Sequence, residues 1–348
     1  MKCRKIAIIA PFGPQTGGMV ELAKVLSTMF EEGGHRVTRV NKSRRGFAPV
    51  FAGRLFFAVL RAALNSDCLT IISGSGKSLS LIDLPAVLLG KLLGKKTVID
   101  FVGGMAMEEA KNWPFHKKFA LRSATVVVVP TGKMLASFID QGIRARYEVI
   151  PHTADVELFR KAGEKKHPSG KRVLLSAKNF ESYANIDHLI KCASMISGEV
   201  PGTELWVAGG GPEERRLKKT ADEVFPGGVV FLGKVDHRKM AEVMAETDVL
   251  VHATRYESFG IVLAEAMAAG KPVVAYDAGG ISDVIENGGT GFLLEYGDIE
   301  GMKEKVVELL KNRDLYRRMS GNGMAASEKY TKRSILKDWE GLFGRLCN

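Results

Sequence analysis

Twice along the chain, short runs rich in Val and Ile alternate with stretches long enough to form a helix, and this rhythm restricts the fold more than any other feature. The first series reads KIAIIAPFG, HRVTRV, CLTIISG, KTVIDFVGG, ATVVVVPT and YEVIPH. A polar passage, KAGEKKHPSGKR from Lys161 to Arg172, interrupts it. The rhythm then resumes with RVLLSA, ELWVAGGG, VVFLGKV, DVLVHAT, PVVAYDAGG and GFLLEY. Strands alternating with crossover helices make a parallel sheet covered on both faces. A chain of 348 residues exceeds what one hydrophobic core usually supports. The expectation is therefore α/β, with two Rossmann-like, doubly wound domains and a linker near residues 160–171.

Several function classes are excluded at this level. The opening MKCRKIAIIAPFG has the basic start and apolar run of a secretory leader, but Pro11 ends the run and no small-residue cleavage site follows. It reads as a first buried strand. No stretch approaches the roughly 18 apolar residues of a membrane-spanning helix. Cys3, Cys68, Cys192 and Cys347 lie far apart with no C-x-x-C pair, so a reducing, cytoplasmic setting without a structural zinc is expected. Residues 1–151 carry 22 Lys and Arg against 10 Asp and Glu, whereas residues 152–348 carry 28 against 29. The whole basic excess lies in the first half, which should meet a polyanion, an anionic membrane or a phosphorylated substrate. The basic residues form no recognisable nucleic-acid-binding module, and no nucleic-acid partner is expected.

Glycine clusters mark where a sheet of this kind lets backbone approach a phosphate. Pro14-Gln15-Thr16-Gly17-Gly18-Met19 follows the opening strand and begins a helix, which suits a diphosphate. Gly76-Lys77-Ser78 imitates a P-loop, but Ile71 stands where that motif needs glycine. Ala208-Gly209-Gly210-Gly211-Pro212 lacks the G-x-G-x-x-G order and has no acidic residue at the distance a nicotinamide cofactor requires.

The stretch RYESFGIVLAEAMAAGKPVVAYDAGG holds Glu257 and Glu265 with seven residues between them. DVLVHAT reads as a buried strand and GIVLAEAMAAG as the helix after it, stopped by Gly270 and Pro272. Glu257 then falls on the strand-to-helix loop and Glu265 about two turns into the helix; eight residues at helical rise would separate them by roughly 12 Å along the axis and about 80° around it. The amides of Ser258, Phe259, Gly260 and Ile261 lie between them at the positive end of the helix. Carboxylate, anion site and carboxylate in that order suit a nucleotide sugar, with hydroxyls at each end and a diphosphate between.

This stretch, with VIPHTADVELF, ELWVAGGGPEERRL, FLGKVDHRKMAEVMAETDVLVHATRYESFG and AGGISDVIENGGTGFLL, resembles the retaining GT-B glycosyltransferases of the group 1 family, which carry an E-x7-E motif. The resemblance implies a GT-B fold, two Rossmann-like domains facing a central cleft. It places residues 1–160 plus about 333–348 in an acceptor-side domain, because YTKRSILKDWEGLFGRL looks like the family's returning terminal helix. It places residues 161–332 in a donor-binding domain. Carried onto this chain, it implies that Glu257 and the Phe259 and Gly260 amides hold the transferred sugar. The Ile261 and Val262 amides would touch phosphate, and Glu265 would bind the ribose. Gly209, Lys234 and Val235 would line the base pocket, and Gly17 and Gly18 would lie beside the diphosphate. Lys178, with the helix amides from Ser258 to Ile261, would stabilise the departing diphosphate. The implied reaction is retaining, uses a nucleotide-diphosphate sugar as donor, and needs neither metal nor cofactor.

Two departures from the family pattern stand out. The diphosphate is usually clamped by two cations, and the second position here falls on Tyr183 or Ala184. Where many members carry a histidine before a glycine pair, this chain has Asp100-Phe101-Val102-Gly103-Gly104; Asp100, Gly103, Gly104 and His116 are its acceptor-side candidates. A non-catalytic nucleotide-sugar-binding protein and a GT-B epimerase are the alternative readings. The acceptor is expected to be a glycan or lipid-linked molecule. The apolar segment Pro49–Arg61 with basic flanks, and WPFHKKFALR, suit either an interfacial surface on an anionic membrane or a packed helix.

Overall fold

The computed structural model describes residues 4–13, 18–43, 48–164 and 170–347, with only the backbone of residues 48, 49 and 347. It comprises two compact units, Met1–Thr153 with Lys332–Asn348, and Ala154–Thr331.

In the first unit the strands are β1 (Lys5–Ala10), β2 (Arg36–Asn41), β3 (Cys68–Ser73), β4 (Lys96–Phe101), β5 (Val126–Val129) and β6 (Tyr147–Val149). They form one parallel sheet in the order β2-β1-β3-β4-β5-β6. Side chains alternate between its faces, as a period of two requires. Ile9, Ile71, Ile99 and Val127 meet the helices Ala48–Leu64, Leu84–Leu92 and Phe115–Ser123. Ile8, Ile72, Val98 and Val128 meet the helices Gly18–Glu32 and Lys332–Cys347. On that second face Phe30 packs edge-on against Trp339 at 5.5 Å and Phe343 at 5.4 Å, joining segments three hundred residues apart.

The second unit repeats the plan with β7 (Arg172–Ala177), β8 (Thr203–Ala208), β9 (Val229–Gly233), β10 (Val249–His252), β11 (Val273–Tyr276) and β12 (Gly291–Leu294). Its sheet is also parallel, in the order β12-β11-β10-β7-β8-β9. The helices Val156–Gly163, His237–Ala245 and Ile261–Ala268 cover one face. Ile186–Glu199, Glu214–Val224 and Ile299–Lys311 cover the other. Strand order reverses between β7 and β10, and ligands of open α/β sheets bind outside the carboxyl ends of the strands at such a reversal.

The units divide earlier than the polar passage at Lys161–Arg172. Asp155 caps the helix Val156–Gly163, whose Val156, Phe159 and Ala162 are buried in the core of the second unit. That amphipathic helix therefore belongs to the unit that follows it. By sequence, residues 1–153 with 332–348 hold 26 Lys and Arg against 12 Asp and Glu, and residues 154–331 hold 24 against 27, so the basic excess belongs to the first unit. No helix among the described residues is long and apolar enough to cross a membrane.

Candidate functional site

At the strand reversal of the second sheet, β7 ends at Ala177 and delivers Lys178, while β10 ends at His252 and leads through a short loop to Glu257. The two side chains meet: Lys178 Nζ lies 2.6 Å from Glu257 Oε2. His252 Nε2 faces the same oxygen across 3.3 Å, outside hydrogen-bond geometry. The other oxygen, Oε1, accepts from the Ser258 amide at 3.1 Å. Burial alone would raise the Glu257 carboxyl. The Lys178 ammonium and the contact with His252 outweigh it and hold the group well below the usual carboxylate range. Burial lowers the affinity of His252 for a proton.

Glu257 owes its position to a neighbouring glycine. Gly279 has φ +58°, and a Cβ there would run into the Glu257 carbonyl oxygen. The Gly280 amide donates to that same oxygen at 2.9 Å. Only a residue without a side chain, in a left-handed conformation, lets these two loops touch.

The following helix spans Ile261–Ala268 with Gly260 at its cap, so Glu257 lies in a loop and the helical spacing expected between the two glutamates does not apply. Ile261 and Val262 are its first residues, whose amides have no acceptor within the helix. The Ser258 amide, expected among the anion-binding donors, is instead engaged by the Glu257 carboxylate. Phe259 is buried against Tyr330, with ring centres 5.1 Å apart.

Glu265 is buried on this helix, with 6% of its surface exposed. Its Oε1 lies 3.7 Å from His237 Nδ1, and His237 Nε2 lies 3.9 Å from Asp155 Oδ2. Burial, helped by the Asp155 carboxylate, pushes the Glu265 carboxyl up to about 8. This is the opposite of Glu257, which has a cation beside it. The two carboxyl groups are thus shifted in opposite directions.

The base-pocket candidates connect these two ends. Gly209 passes directly over the Lys178 carbonyl, where a Cβ would collide with it, and donates from its amide to Gly233 at 2.8 Å. Lys234 is exposed and Val235 packs into the core just before Asp236, which caps the helix beginning at His237. The structure therefore brings Lys178, Gly209, Lys234, Val235, Glu257 and Glu265 into one connected array. His252, His237 and Asp155 join it although the sequence reading passed over them. Their signal was position: His252 is the last residue of a strand at the reversal, and Asp155 and His237 stand at helix starts.

The remaining candidates belong to the first unit. Gly17 lies outside the described residues, and Gly18 begins the helix Gly18–Glu32. Asp100 is buried on β4, and burial pushes its carboxyl up to about 7. Gly103 approaches the Ser75 amide so closely that a Cβ would stand 2.9 Å away. The Gly103 and Gly104 carbonyls accept from Ala106 and Met107 as the next helix begins. His116 is exposed in the first turn of Phe115–Ser123. Among the described residues no three His, Cys, Asp or Glu side chains converge as a metal-binding group.

At the expected place of the second cation, the Tyr183 carbonyl accepts the Arg255 amide at 2.8 Å, and the Tyr183 ring packs against Tyr256 at 5.7 Å. The Arg255 guanidinium stacks over Tyr256 and Tyr296 at 5.3 and 5.8 Å.

Residues 159–325 match the family described as glycosyl transferases group 1. An N-acetyl-alpha-D-glucosaminyl L-malate synthase of Bacillus anthracis is 32% identical over 174 residues, 49% of this chain and 45% of the relative. A GDP-mannose-dependent alpha-mannosyltransferase of Mycobacterium tuberculosis is 30% identical over 220 residues, 61% of this chain and 55% of the relative. The chain thus spans about half the length of the curated relatives it matches. Among solved structures, HepE of Anabaena in complex with UDP-glucose superposes with a TM-score of 0.78 at 19% identity, covering 99% of this chain and all of that one. That likeness identifies the fold as GT-B.

Proposed function

From the match of residues 159–325 to the group 1 glycosyltransferase family and the GT-B fold, we propose that the protein transfers a sugar from a nucleotide-diphosphate sugar to an acceptor, with retention of configuration and without a metal. One observation carries the reading: a Lys178–Glu257 pair at the strand reversal, followed on the next helix by a buried Glu265.

In this reading Glu265 accepts hydrogen bonds from the ribose hydroxyls, and Gly209, Lys234 and Val235 flank the base. The diphosphate sits at the helix start, facing the Ile261 and Val262 amides. Lys178, which balances Glu257 at rest, turns its remaining N–H groups to the diphosphate and stabilises it as it departs. Glu257, with the Phe259 and Gly260 amides, orients the sugar hydroxyls; positioning and charge stabilisation supply the acceleration. Gly17 and Gly18 are assigned to the diphosphate, and Asp100, Gly103, Gly104 and His116 to the side where a glycan or lipid-linked acceptor enters.

The test is thermal unfolding against UDP, GDP, ADP and dTDP and their common sugar conjugates, since the two named relatives point to different sugars. A ligand at about 100 times its dissociation constant adds roughly 2.7 kcal/mol. One nucleotide class should raise the midpoint of the wild type and leave Glu265→Ala unmoved; no response from any of them sinks the reading. A second reading, a nucleotide-sugar-binding protein without turnover, is favoured by Tyr183 or Ala184 standing where a second cation is expected. It predicts the same thermal shift with neither transfer nor donor hydrolysis.

A further inference from the structure

We propose that the outer face of the three-helix layer on the first sheet docks on the surface of an anionic lipid bilayer. The helix Ala48–Leu64 points Leu55, Val59, Ala62 and Ala63 into the core, and exposes Phe56 and Phe57, the latter by 67%. Its neighbour Leu84–Leu92 ends on Leu92, which is 83% exposed, and the turn before it holds Leu81 at 73%. On Phe115–Ser123, Phe115 is 71% exposed and stacks on Phe119 with ring centres 5.5 Å apart. Leu84–Leu92 packs against both other helices, so these side chains protrude from one continuous layer. Isolated exposed apolar residues need no explanation, but a cluster of large ones on adjacent helices marks an interaction surface.

Charge selects the occupant. Segments 48–64, 79–92 and 115–123 carry Arg54, Arg61, Lys91, Lys117, Lys118 and Arg122, and their sole acid is Asp83. Asp83 is fully buried, with Oδ1 2.7 Å from Lys42 Nζ and Oδ2 accepting from Ser73. The layer therefore shows cations and apolar groups to solvent and no carboxylate from its helices. A second copy of this chain would set like charges against each other, which disfavours self-association. A bilayer accepts protruding Phe and Leu side chains without needing a complementary shape, and anionic headgroups balance the Lys and Arg. The inference goes beyond the donor reading and does not depend on it.

The experiment is co-sedimentation of the full chain with phosphatidylcholine vesicles, with and without added phosphatidylglycerol. Binding should require the anionic lipid and weaken with salt. The double variant Phe56→Ser/Phe57→Ser, altered only at exposed positions, should bind about tenfold less or weaker. Arg61→Glu/Lys91→Glu should lose the anionic preference. No binding, equal binding to both vesicles, or wild-type binding by the Phe variant overturns the proposal. So does a concentration-dependent dimer that the Phe variant abolishes without any vesicle binding. Both variants should keep the nucleotide-induced thermal shift in solution, which separates failure here from failure of the donor reading.

Discussion

The Lys178 ammonium and the Glu257 carboxylate, from loops 79 residues apart in sequence, meet at 2.6 Å and neutralise each other inside the second unit. Removing one partner leaves a largely buried charge unbalanced. Lys178→Met should therefore destabilise the fold by about 2 to 4 kcal/mol, and Lys178→Met/Glu257→Gln should recover most of that loss. Urea denaturation of the two single variants and the double variant measures the coupling. Turnover should behave differently, because neither Lys178→Met nor the double variant can stabilise a leaving diphosphate; kcat should fall by about a hundredfold or more in both.

Glu265 gives the fold a dependence on pH. Its folded carboxyl titrates near 8, well above the ordinary value of 4.5 that an unfolded chain approaches. Between those values the folded chain holds a proton that the unfolded chain has released. The contribution is complete below the ordinary value and is lost as pH rises through about 8. Glu265→Gln, which imitates the neutral form, should gain on the wild type as pH increases across this window in denaturant titrations.

The same residue should couple donor binding to proton release. Ribose hydroxyls donate to a carboxylate, so a bound nucleotide favours the ionised form. Calorimetry below pH 8 in buffers of differing ionisation enthalpy should report protons released on binding, and Glu265→Gln should report none. A wild type with no buffer dependence would exclude the ribose assignment.

Gly279→Ala tests the loop that positions Glu257. The added Cβ meets the Glu257 carbonyl oxygen in a left-handed conformation, so a cost of about 2 kcal/mol or more is expected. The displaced Glu257 should lower kcat more than it weakens nucleotide binding, because Glu265 and the base pocket are not moved. Equal losses in both would place the effect in general unfolding instead.

Both sheets were legible in the sequence because each strand is a short Val/Ile-rich run bounded by Gly, Pro or polar residues, and buried parallel strands need little else. Lys178 and Glu257 were legible as separate residues, since each follows a strand that could be read. Their contact was not, because it depends on β7 and β10 being neighbours, and strand order is not written in local periodicity. His237 and Asp155 escaped for a related reason: each looks like an ordinary helix-start residue until the fold brings His237 between Asp155 and Glu265. The division between the units was misplaced because a polar passage is easier to see than an eight-residue amphipathic helix just ahead of it. The exposed face of Ala48–Leu64 could not be told from its buried face, because both are apolar.

The packing of Phe30 against Trp339 and Phe343 orders events during synthesis. A ribosome delivers the segment from 154 to 331 as one uninterrupted piece, which can collapse as soon as it emerges. The unit translated ahead of it must wait with one flank of its sheet uncovered until Trp339 and Phe343 leave the exit tunnel. The domain begun first is thus completed last, and for that interval the Ile and Phe side chains that the helix of Trp339 and Phe343 covers stay open to other contacts.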